Sequence, residues 1–309
     1  MRLLVWTVTA GLVSAPALAQ TPRTSFGAPS LEGVWTTTTA TPLERPAAFD
    51  GPTTTEEKAK TFARAVPEVY QSDTSDGVGA RVSEWWEFGT EMTRIDGAYR
   101  TSLIVDPPDG KMPYTPAARA RLKQLQQDVL TAFDGPEARP APERCLVAAS
   151  GSTGAPFFVA RYNLNYQIVQ TPDYVAIYME AGREARIIRL NAQHRPPQMQ
   201  RWMGDSIAHW DGDTLVVETE GFKPGDAFKP SAPILIGANA HVIERFTRIA
   251  PDQILYRYTV DDPETFTQPW TSEMILAATT ARMFEYACHE GNYALPGMLA
   301  GGRAQDVAH

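Results

Sequence analysis

The strongest hairpin signal in this chain is Trp210-Asp211-Gly212-Asp213-Thr214-Leu215-Val216-Val217, where a turn sequence runs directly into a β-branched segment. The Asp211-Gly212 pair accepts the positive φ angles of a type I′ turn, which joins two antiparallel strands through two residues. Valine and threonine side chains suit the half-buried surface of a sheet. This stretch therefore predicts a β-hairpin centred on Asp211-Gly212.

Strand-like segments continue on both sides of this hairpin, from about residue 160 onward. A second turn signal, Ala250-Pro251-Asp252, separates two of the longest segments. Neighbouring antiparallel strands joined by short turns form a meander, and a meander with this many strands closes into a barrel or folds into a sandwich. The predicted strands are Tyr166–Gln170, Tyr174–Glu180, Arg186–Leu190, Thr214–Thr219, His241–Ile249, Gln253–Val260 and Trp270–Leu276.

The fold opens with Leu31-Glu32-Gly33-Val34-Trp35, followed by a run of threonines. A Gly-x-Trp sequence at the start of the first strand is similar to that of lipocalin-like barrels, in which the tryptophan closes the barrel floor. Together with the meander, this resemblance predicts a mostly β protein. Its antiparallel meander is expected to close into a lipocalin-like barrel with one or two peripheral helices.

Two helices are predicted in the first half of the chain. Thr54 and Glu57 have the spacing of a capping box and begin a helix that runs to about Val66. The second helix covers Pro116–Val129, with proline in its first turn and apolar residues along one stripe. Between the two helices, Tyr99–Val105 is predicted to be a strand.

Residues 1–19 have the features of a cleavable secretory signal. Arg2 provides a positive start, Leu3–Val13 is apolar, and Ala17-Leu18-Ala19 supplies the small residues before a cleavage site. An apolar run of this length is too short to cross a hydrocarbon core of about 30 Å. We therefore expect a periplasmic or extracellular protein with no membrane insertion after the signal is removed.

The chain is acidic, with 28 basic and 36 acidic residues, and removal of the signal takes away one basic residue and no acidic one. Because nucleic-acid binding needs a clustered basic face, no nucleic-acid partner is expected. Apolar residues make up 43% of the chain, which is enough for a sizeable core and too much for a disordered protein.

The chain has two cysteines, Cys145 and Cys288. In an oxidising compartment two thiols in one chain more often pair than not, so a Cys145–Cys288 disulfide is predicted. It would tie the middle of the chain to its C-terminal segment. The alternative is a free nucleophilic Cys288 beside His289.

Several motifs resemble a family of secreted bacterial proteins of unassigned activity. They are Gly204-Asp205-Ser206, Gly212-Asp213-Thr214-Leu215-Val216-Val217, His241-Val242-Ile243-Glu244-Arg245-Phe246, Val260-Asp261-Asp262-Pro263 and Glu285-Tyr286-Ala287-Cys288-His289-Glu290-Gly291-Asn292-Tyr293. The likeness runs from about residue 31 to 304 and implies a single unit without implying any chemistry. The family has Gly-Arg-Trp where this chain has Ala208-His209-Trp210, so His209 is either peculiar to this protein or a neutral surface change.

The predicted organisation is therefore one β-rich domain over residues 31–304. A helical insertion occupies about residues 53–130 of that domain. The polar, proline-containing residues 20–30 are expected to be a flexible lead.

Candidate catalytic residues lie on the predicted strand His241–Ile249. Successive side chains on a strand point to opposite faces, so His241 and Arg245 share one face and Glu244 lies on the other. Both faces mix charge with apolar bulk, and a buried charge costs free energy unless it is paired. We therefore take His241 and Glu244 as candidate acid–base residues and Arg245 as a candidate ligand contact, with structural ion pairs as the alternative.

A second candidate group lies on the strand Tyr174–Glu180, where Tyr178 and Glu180 share a face. If that face lines a cavity, Glu180 is an acid at its rim and Tyr178 is a hydrogen-bond donor to the ligand.

The third group is in the segment Cys288-His289-Glu290-Gly291-Asn292-Tyr293. Here His289 is a candidate base and Glu290 a candidate acid, while Asn292 and Tyr293 offer hydrogen bonds to a ligand. The alternative is a structural corner in which the disulfide and the turn-forming residues hold the backbone.

A closed barrel can bring distant strands together, so we expect His241, His289 and one of Glu180, Glu244 or Glu290 to converge on a single cavity.

No histidine pair has metal-ligand spacing, and the sequence has no nucleophile elbow, phosphate loop or dinucleotide motif. Neither a metal nor an organic cofactor is therefore predicted.

The sequence is compatible with two functions. The first is a secreted barrel enzyme that performs cofactor-free acid–base chemistry on a small, partly apolar molecule, as a lyase, isomerase or hydrolase. The second is a non-catalytic periplasmic protein that binds a small hydrophobic ligand. The sequence slightly favours the enzyme, because more polar residues are directed to one region than a binding protein needs.

Overall fold

The computed structural model describes residues 21–71, 87–148, 154–159, 164–182, 185–223 and 234–307, so the predicted signal at residues 1–19 lies outside the described residues. Within these ranges, no helix is both long and apolar enough to cross a membrane. The described α-helices are α1 (Glu56–Gln71), α2 (Pro116–Thr131) and α3 (Ala294–Val307). The described strands are β1 (Gly33–Thr36), β2 (Thr53–Thr54), β3 (Arg94–Ile95), β4 (Ala98–Arg100), β5 (Ile104–Asp106), β6 (Asn165–Gln170), β7 (Tyr174–Met179), β8 (Ala185–Leu190), β9 (Asp205–Asp211), β10 (Thr214–Glu220), β11 (His241–Ala250), β12 (Gln253–Asp261) and β13 (Trp270–Ala278).

Nine strands close into a β-barrel in the order β1-β6-β7-β8-β9-β10-β11-β12-β13, with β1 returning to pair with β13. β1 pairs with the end of β13, and β5 pairs with its beginning. The predicted, mostly β barrel is therefore confirmed. It carries three α-helices in the described residues, where one or two were expected.

The predicted hairpin is formed by β9 and β10, and Asp211 pairs with Thr214 across it. The two turn residues are thus Gly212 and Asp213, one position later than expected. Gly212 has a φ of +59°, whereas Asp213 is not among the residues with positive φ. A positive φ at the first turn residue alone is the pattern of type II′, so the predicted type I′ turn is wrong.

One neighbouring pair departs from the predicted antiparallel meander, because β8 and β9 run parallel. Parallel neighbours need a longer connection than a tight turn, and residues 191–204 provide this crossover. The crossover ends at Gly204, which has a φ of +68°. A Cβ atom at this position would lie 2.6 Å from the Thr219 side chain, so the chain enters β9 close to β10 only with glycine there.

The barrel interior is filled by the inward residues of successive strands. On β12, every second residue from Ile254 to Val260 is fully buried. Phe157, from the described segment 154–159, packs among them, and its ring centre lies 4.4 Å from that of Tyr166. Phe157 also contacts the Tyr256 ring at 5.0 Å between centres, so this segment fills the space between β6 and β12.

Trp35 is buried at the end of the barrel that holds the β11–β12 turn. Its Nε1 donates to the Leu31 carbonyl oxygen at 2.9 Å. The guanidinium of Arg248 lies 5.2 Å from the ring centre and donates to the carbonyl oxygens of Ser30 and Pro251. Trp35 therefore closes this end.

Residues 21–31, which include the described part of the predicted flexible lead, contact the rest of the chain. Ser30 N donates to the Pro22 carbonyl oxygen at 2.7 Å, which closes a compact turn. Arg23 Nη2 lies 2.6 Å from Asp213 Oδ1 and ties this turn to the β9–β10 hairpin. This partner is 190 residues away, so local composition cannot reveal the contact.

The insertion adds a smaller layer beside the barrel. β2, β4 and β3 form a three-stranded sheet, and α1 packs against a small apolar cluster next to it. The helix cap was predicted at Thr54, but the residue that precedes α1 is Thr55. Its hydroxyl accepts a hydrogen bond from Lys58 N at 3.4 Å. The single strand predicted over Tyr99–Val105 is instead two short strands that belong to different sheets.

The predicted disulfide is confirmed: Cys145 and Cys288 are bonded, with their Cα atoms 5.8 Å apart. The bond joins the loop after α2 to residues 279–293, here called the C-terminal segment, which connect β13 to α3. The alternative of a free nucleophilic Cys288 is thereby excluded.

Candidate functional site

A cleft of about 420 Å³ lies on the outer face of the barrel, where β9 and β11 begin and β10 ends. The crossover between β8 and β9 supplies an apolar wall that includes Pro196-Pro197 and Met199. The strand ends supply the polar groups Asp205, Glu220 and His241. The cleft therefore combines apolar surface with ionisable side chains.

His241 is the predicted catalytic residue that lies in this cleft. Its Nε2 is 2.6 Å from Glu218 Oε1 on the neighbouring strand β10. When the imidazole is neutral and donates from Nε2 to this carboxylate, its Nδ1 can accept a proton. A histidine oriented in this way by a carboxylate has the arrangement of a general base.

Asp205, in contrast, is saturated by its neighbours. Its Oδ2 accepts from Arg189 Nη2 at 2.7 Å and from Arg195 N at 2.9 Å, and it lies 3.3 Å from His194 Nδ1. Burial by itself would raise the pKa of Asp205. The Arg195 N–H and the charge of Arg189 outweigh burial, so this pKa lies below its ordinary value. Asp205 thus anchors the crossover to the barrel.

Glu244 lies inside the barrel, on the opposite face of β11 from His241. Arg186 Nη1 donates to Glu244 Oε1 at 3.0 Å, and Nη2 donates to Oε2. Arg186 also donates to Ser206 Oγ at 3.0 Å and to Thr219 Oγ1 at 2.9 Å. The side chains of Arg186 and Glu244 are 3% and 0% exposed, so this is a fully buried ion pair.

Tyr256 completes this group. Its Oη donates to Glu244 Oε1 at 2.7 Å and accepts from Phe157 N at 2.9 Å. Burial, and then the charge of Glu244, raises the pKa of Tyr256 well above its usual range, so the phenol keeps its proton. We call the following residues the paired cluster: Arg186, Ser206, Thr219, Glu244 and Tyr256.

Three further buried polar side chains lie beside the paired cluster. Tyr258 Oη, Trp270 Nε1 and Ser272 Oγ have no hydrogen-bond partner within the described ranges, and we call these residues the unpaired cluster. Tyr258 pairs with Glu244 across β11 and β12, and with Ser272 across β12 and β13. Burial raises the pKa of Tyr258 above its usual range, with Ser272 opposing and Glu244 adding to the rise.

Glu180 is buried just beyond the end of β7. Its Oε2 accepts from Asn165 Nδ2 at 2.7 Å, and its Oε1 accepts from Phe284 N at 3.2 Å. The charge of Glu180 also acts on a second carboxyl group: burial, and then this charge, raises the pKa of Glu87. The described contacts of Glu180 therefore hold the C-terminal segment against the barrel.

His289 and Glu290 are exposed on the C-terminal segment, and neither side chain hydrogen-bonds another described residue. Asn292 N donates to the His289 carbonyl oxygen at 3.2 Å, and Asn292 Nδ2 lies 3.5 Å from Cys145 Sγ. Tyr293 is 83% exposed. This is the geometry of a turn fixed by the disulfide.

The remaining predicted ligand contacts lie on the outer surface. Tyr178 is half-buried on the outer face of β7, between the inward residues Ile177 and Met179. Arg245 Nη2 lies 2.7 Å from Asp211 Oδ2, on the outer face of β11. Neither side chain faces the barrel interior.

The described contacts do not bring the predicted catalytic residues into one cluster. His241 is in the outer cleft and Glu244 is inside the barrel, because alternate residues of β11 point to opposite faces. Glu180 contacts the C-terminal segment that carries His289. Arg186 was not predicted as a site residue, although its spacing of two from the inward residue Ile188 indicates an interior arginine.

Within the described ranges, no group of three or more His, Cys, Asp or Glu residues could hold a metal ion. In comparisons with known proteins, no protein-family model, no curated protein and no solved structure matches this chain. The geometry of its sites is therefore the basis for assigning a function.

Proposed function

We propose that this protein is an exported barrel that binds a small, partly apolar molecule in the cleft beside His241. The observation that supports this function is the cleft itself, with its volume of about 420 Å³ and its apolar wall. Small-molecule sites generally occupy about 300–1,000 Å³ and combine apolar surface with a few polar groups. The Cys145–Cys288 disulfide is compatible with export, since disulfides persist in oxidising compartments.

The polar groups of the cleft favour a ligand that carries a hydrogen-bond donor or a positive charge. Asp205 is occupied by its protein partners, but the Glu220 side chain has none among the described residues. Glu218 adds a second carboxylate behind His241. An amine or another donor on the ligand is therefore the complement of this surface.

The test uses N-phenyl-1-naphthylamine, an apolar amine whose fluorescence rises in apolar surroundings. We expect the wild-type protein to bind it. Met199 is exposed on the apolar wall, and Met199→Glu should weaken binding about tenfold or more by placing a charge against the ligand.

The matched control is Ile187→Glu, which changes an equally exposed apolar residue on the outer face of β8, away from the cleft lining. This variant should bind the probe like the wild type. Absence of binding to the wild type, or the same loss in both variants, would contradict the proposed site.

The second candidate function is cofactor-free acid–base catalysis in the same cleft, as a lyase, isomerase or hydrolase. The 2.6 Å contact between His241 and Glu218 favours it, because it orients the imidazole and stabilises the imidazolium formed on proton transfer. His241 would take a proton from the substrate or from water at Nδ1.

Hydrolysis can be measured with p-nitrophenyl butyrate, an apolar ester with a coloured leaving group. We expect His241→Asn to reduce kcat about 10²- to 10⁴-fold, the usual range for a general base, and Glu218→Gln to reduce it less. His209→Asn is the control, since His209 is exposed on the outer face of β9. Hydrolysis no faster than in buffer, or equal rates for His241→Asn and the wild type, would exclude a hydrolase.

A further inference from the structure

The cleft beside His241 contains a positive group as well as the carboxylates already described. Arg195 lines this cleft, and the side chain of the arginine is 37% exposed. Its Nε lies 3.2 Å from Asp205 Oδ1, and its Nη1 and Nη2 atoms donate to no oxygen in the described part of the chain. The two Nη groups are therefore available to a ligand in the cleft.

Asp205 does not neutralise Arg195 by itself, because other groups share this carboxylate. Its Oδ2 accepts from Arg189 Nη2 at 2.7 Å and lies 3.3 Å from His194 Nδ1. Two guanidinium groups thus face one carboxylate, which leaves one positive charge in excess. The N–H groups of an arginine form a planar fork that matches the two oxygens of a carboxylate. The excess charge and the free Nη groups therefore favour a ligand that carries a carboxylate.

A negative group of the same cleft lies on the neighbouring strand. Glu220, at the end of β10, pairs in register with Asp205 at the start of β9, so both side chains lie on the outer face. Residues in such opposite positions have Cβ atoms about 4.5–5.5 Å apart. Within the described ranges no cation pairs with Glu220, and no ion pair joins it to Arg195. The cleft therefore holds a free carboxylate close to a free guanidinium.

The apolar wall of the cleft begins directly beside the positive group. Pro196 and Pro197 follow Arg195 in the crossover, and Met199, two residues further, is 49% exposed. A ligand bound to the guanidinium would place its remaining atoms against these side chains. The three surfaces together match a molecule that carries a carboxylate, an ammonium group and an apolar group.

We propose that the cleft binds an α-amino acid with an apolar side chain, an inference that rests on the function proposed above and specifies its ligand. Arg195 donates from its Nη atoms to the α-carboxylate, and Glu220 accepts from the α-ammonium group. These two groups of an amino acid are attached to one carbon atom, which suits protein charges on neighbouring positions. The apolar side chain of the ligand contacts Pro196, Pro197 and Met199.

The test compares three ligands that share a phenyl group, by isothermal titration calorimetry at neutral pH. L-Phenylalanine carries both charges, phenethylamine has only the ammonium group, and 3-phenylpropanoate has only the carboxylate. We expect L-phenylalanine to bind about tenfold or more tightly than either of the others, because it gains one more charge-assisted hydrogen-bonded pair.

Two variants assign the charges to their residues. Arg195→Gln should weaken the binding of L-phenylalanine and 3-phenylpropanoate about tenfold without weakening that of phenethylamine. Glu220→Gln should weaken L-phenylalanine and phenethylamine by a similar factor without weakening 3-phenylpropanoate. Because each variant still binds one ligand normally, the losses cannot be assigned to misfolding.

The matched control is Arg257→Gln. Arg257 is an exposed arginine that shares one carboxylate, that of Glu273, with a second arginine, and it lies outside the cleft lining. This variant should bind all three ligands like the wild type.

Equal affinity of the wild type for L-phenylalanine and phenethylamine, or an unchanged order of affinities in Arg195→Gln, would overturn the amino-acid assignment. So would the absence of L-phenylalanine binding to a protein that binds N-phenyl-1-naphthylamine, and the function proposed for the cleft would then still stand. Failure of all four compounds to bind would overturn that function, and the amino-acid assignment with it.

Discussion

The paired and unpaired clusters lie side by side on the inner surface of one barrel, yet their polar groups differ in the number of hydrogen-bond partners. Glu244 accepts hydrogen bonds from both Nη atoms of Arg186 and from Tyr256. Tyr258 lies opposite Glu244 on the next strand and is equally buried, but its hydroxyl has no partner within the described ranges. Burial alone therefore does not indicate what an interior polar residue does.

The difference between the clusters separates a buried charge, which the protein surrounds with partners, from buried neutral groups, which it leaves with fewer. A buried charge needs a counter-charge and hydrogen bonds from the protein before the fold is stable, so buried charged side chains are paired within the protein itself. A neutral hydroxyl or indole can remain unpaired at a smaller cost. The two clusters should accordingly respond in different ways to the same kind of substitution.

The largest effect is expected for Arg186→Met, which removes the cation and leaves Glu244 buried without it. Removal of one member of a buried ion pair generally costs about 3–5 kcal/mol. Urea unfolding followed by circular dichroism should show a much lower midpoint. The double variant Arg186→Met, Glu244→Leu is the control and should recover most of the loss, because no charge remains buried. A single variant as stable as the wild type would show that the paired cluster does not stabilise the barrel.

A smaller loss is expected for Ser206→Ala in the paired cluster. Its hydroxyl accepts from Arg186 Nε at 3.0 Å and lies 2.9 Å from Thr219 Oγ1. Leaving buried groups without a partner costs about 1–3 kcal/mol, so the urea midpoint should fall by the corresponding amount. An unchanged midpoint would mean that Arg186 is satisfied without this serine.

Asp205 extends the comparison to the outer face of β9, next to Ser206. Its folded-state pKa is lowered, so it stabilises the protein above its unfolded pKa, and this contribution is lost as the pH falls through the folded-state pKa. The Tm difference between the wild type and Asp205→Asn should therefore be largest at neutral pH and shrink in acid. A difference that is constant with pH would assign the effect of the substitution to packing.

The smallest effect is expected for Ser272→Ala, the counterpart of Ser206→Ala in the unpaired cluster. Both serines are buried on the inner face, but Ser272 Oγ has no partner in the described part of the chain. We expect a stability between that of the wild type and about 1 kcal/mol above it, measured by the same urea unfolding. A loss as large as that of Ser206→Ala would remove the distinction between the two clusters.

The fold could be predicted because its signals are local. Strand-length runs such as His241–Ile249 and short turns such as Ala250-Pro251-Asp252 carry their own periodicity and turn chemistry. The pairing of β8 with β9 could not be predicted in this way, because a parallel neighbour depends on the path of the crossover and not on either strand. The ordered turn at residues 21–31 depends on Asp213, which is distant in sequence.

The sites were less predictable, because they depend on which face of a strand is covered. Alternation correctly placed His241 and Glu244 on opposite faces, but it did not tell which face is inside. Glu180 is buried and contacts the C-terminal segment, and no residue pattern within β7 predicts that contact. The missing partners in the unpaired cluster become visible only when all neighbours of an atom are known.

The position of β1 in the barrel has a consequence for biosynthesis. β1 is the first barrel strand to be synthesised, yet it pairs with β13, the last one. Until β13 is available, the growing sheet has unpaired strand edges, whose free N–H and C=O groups can template association with other chains. A chain that ends before Trp270 would keep such edges permanently. The full-length chain removes them by joining its first and last barrel strands, so protection against edge-to-edge aggregation comes only with the completed C-terminal strand.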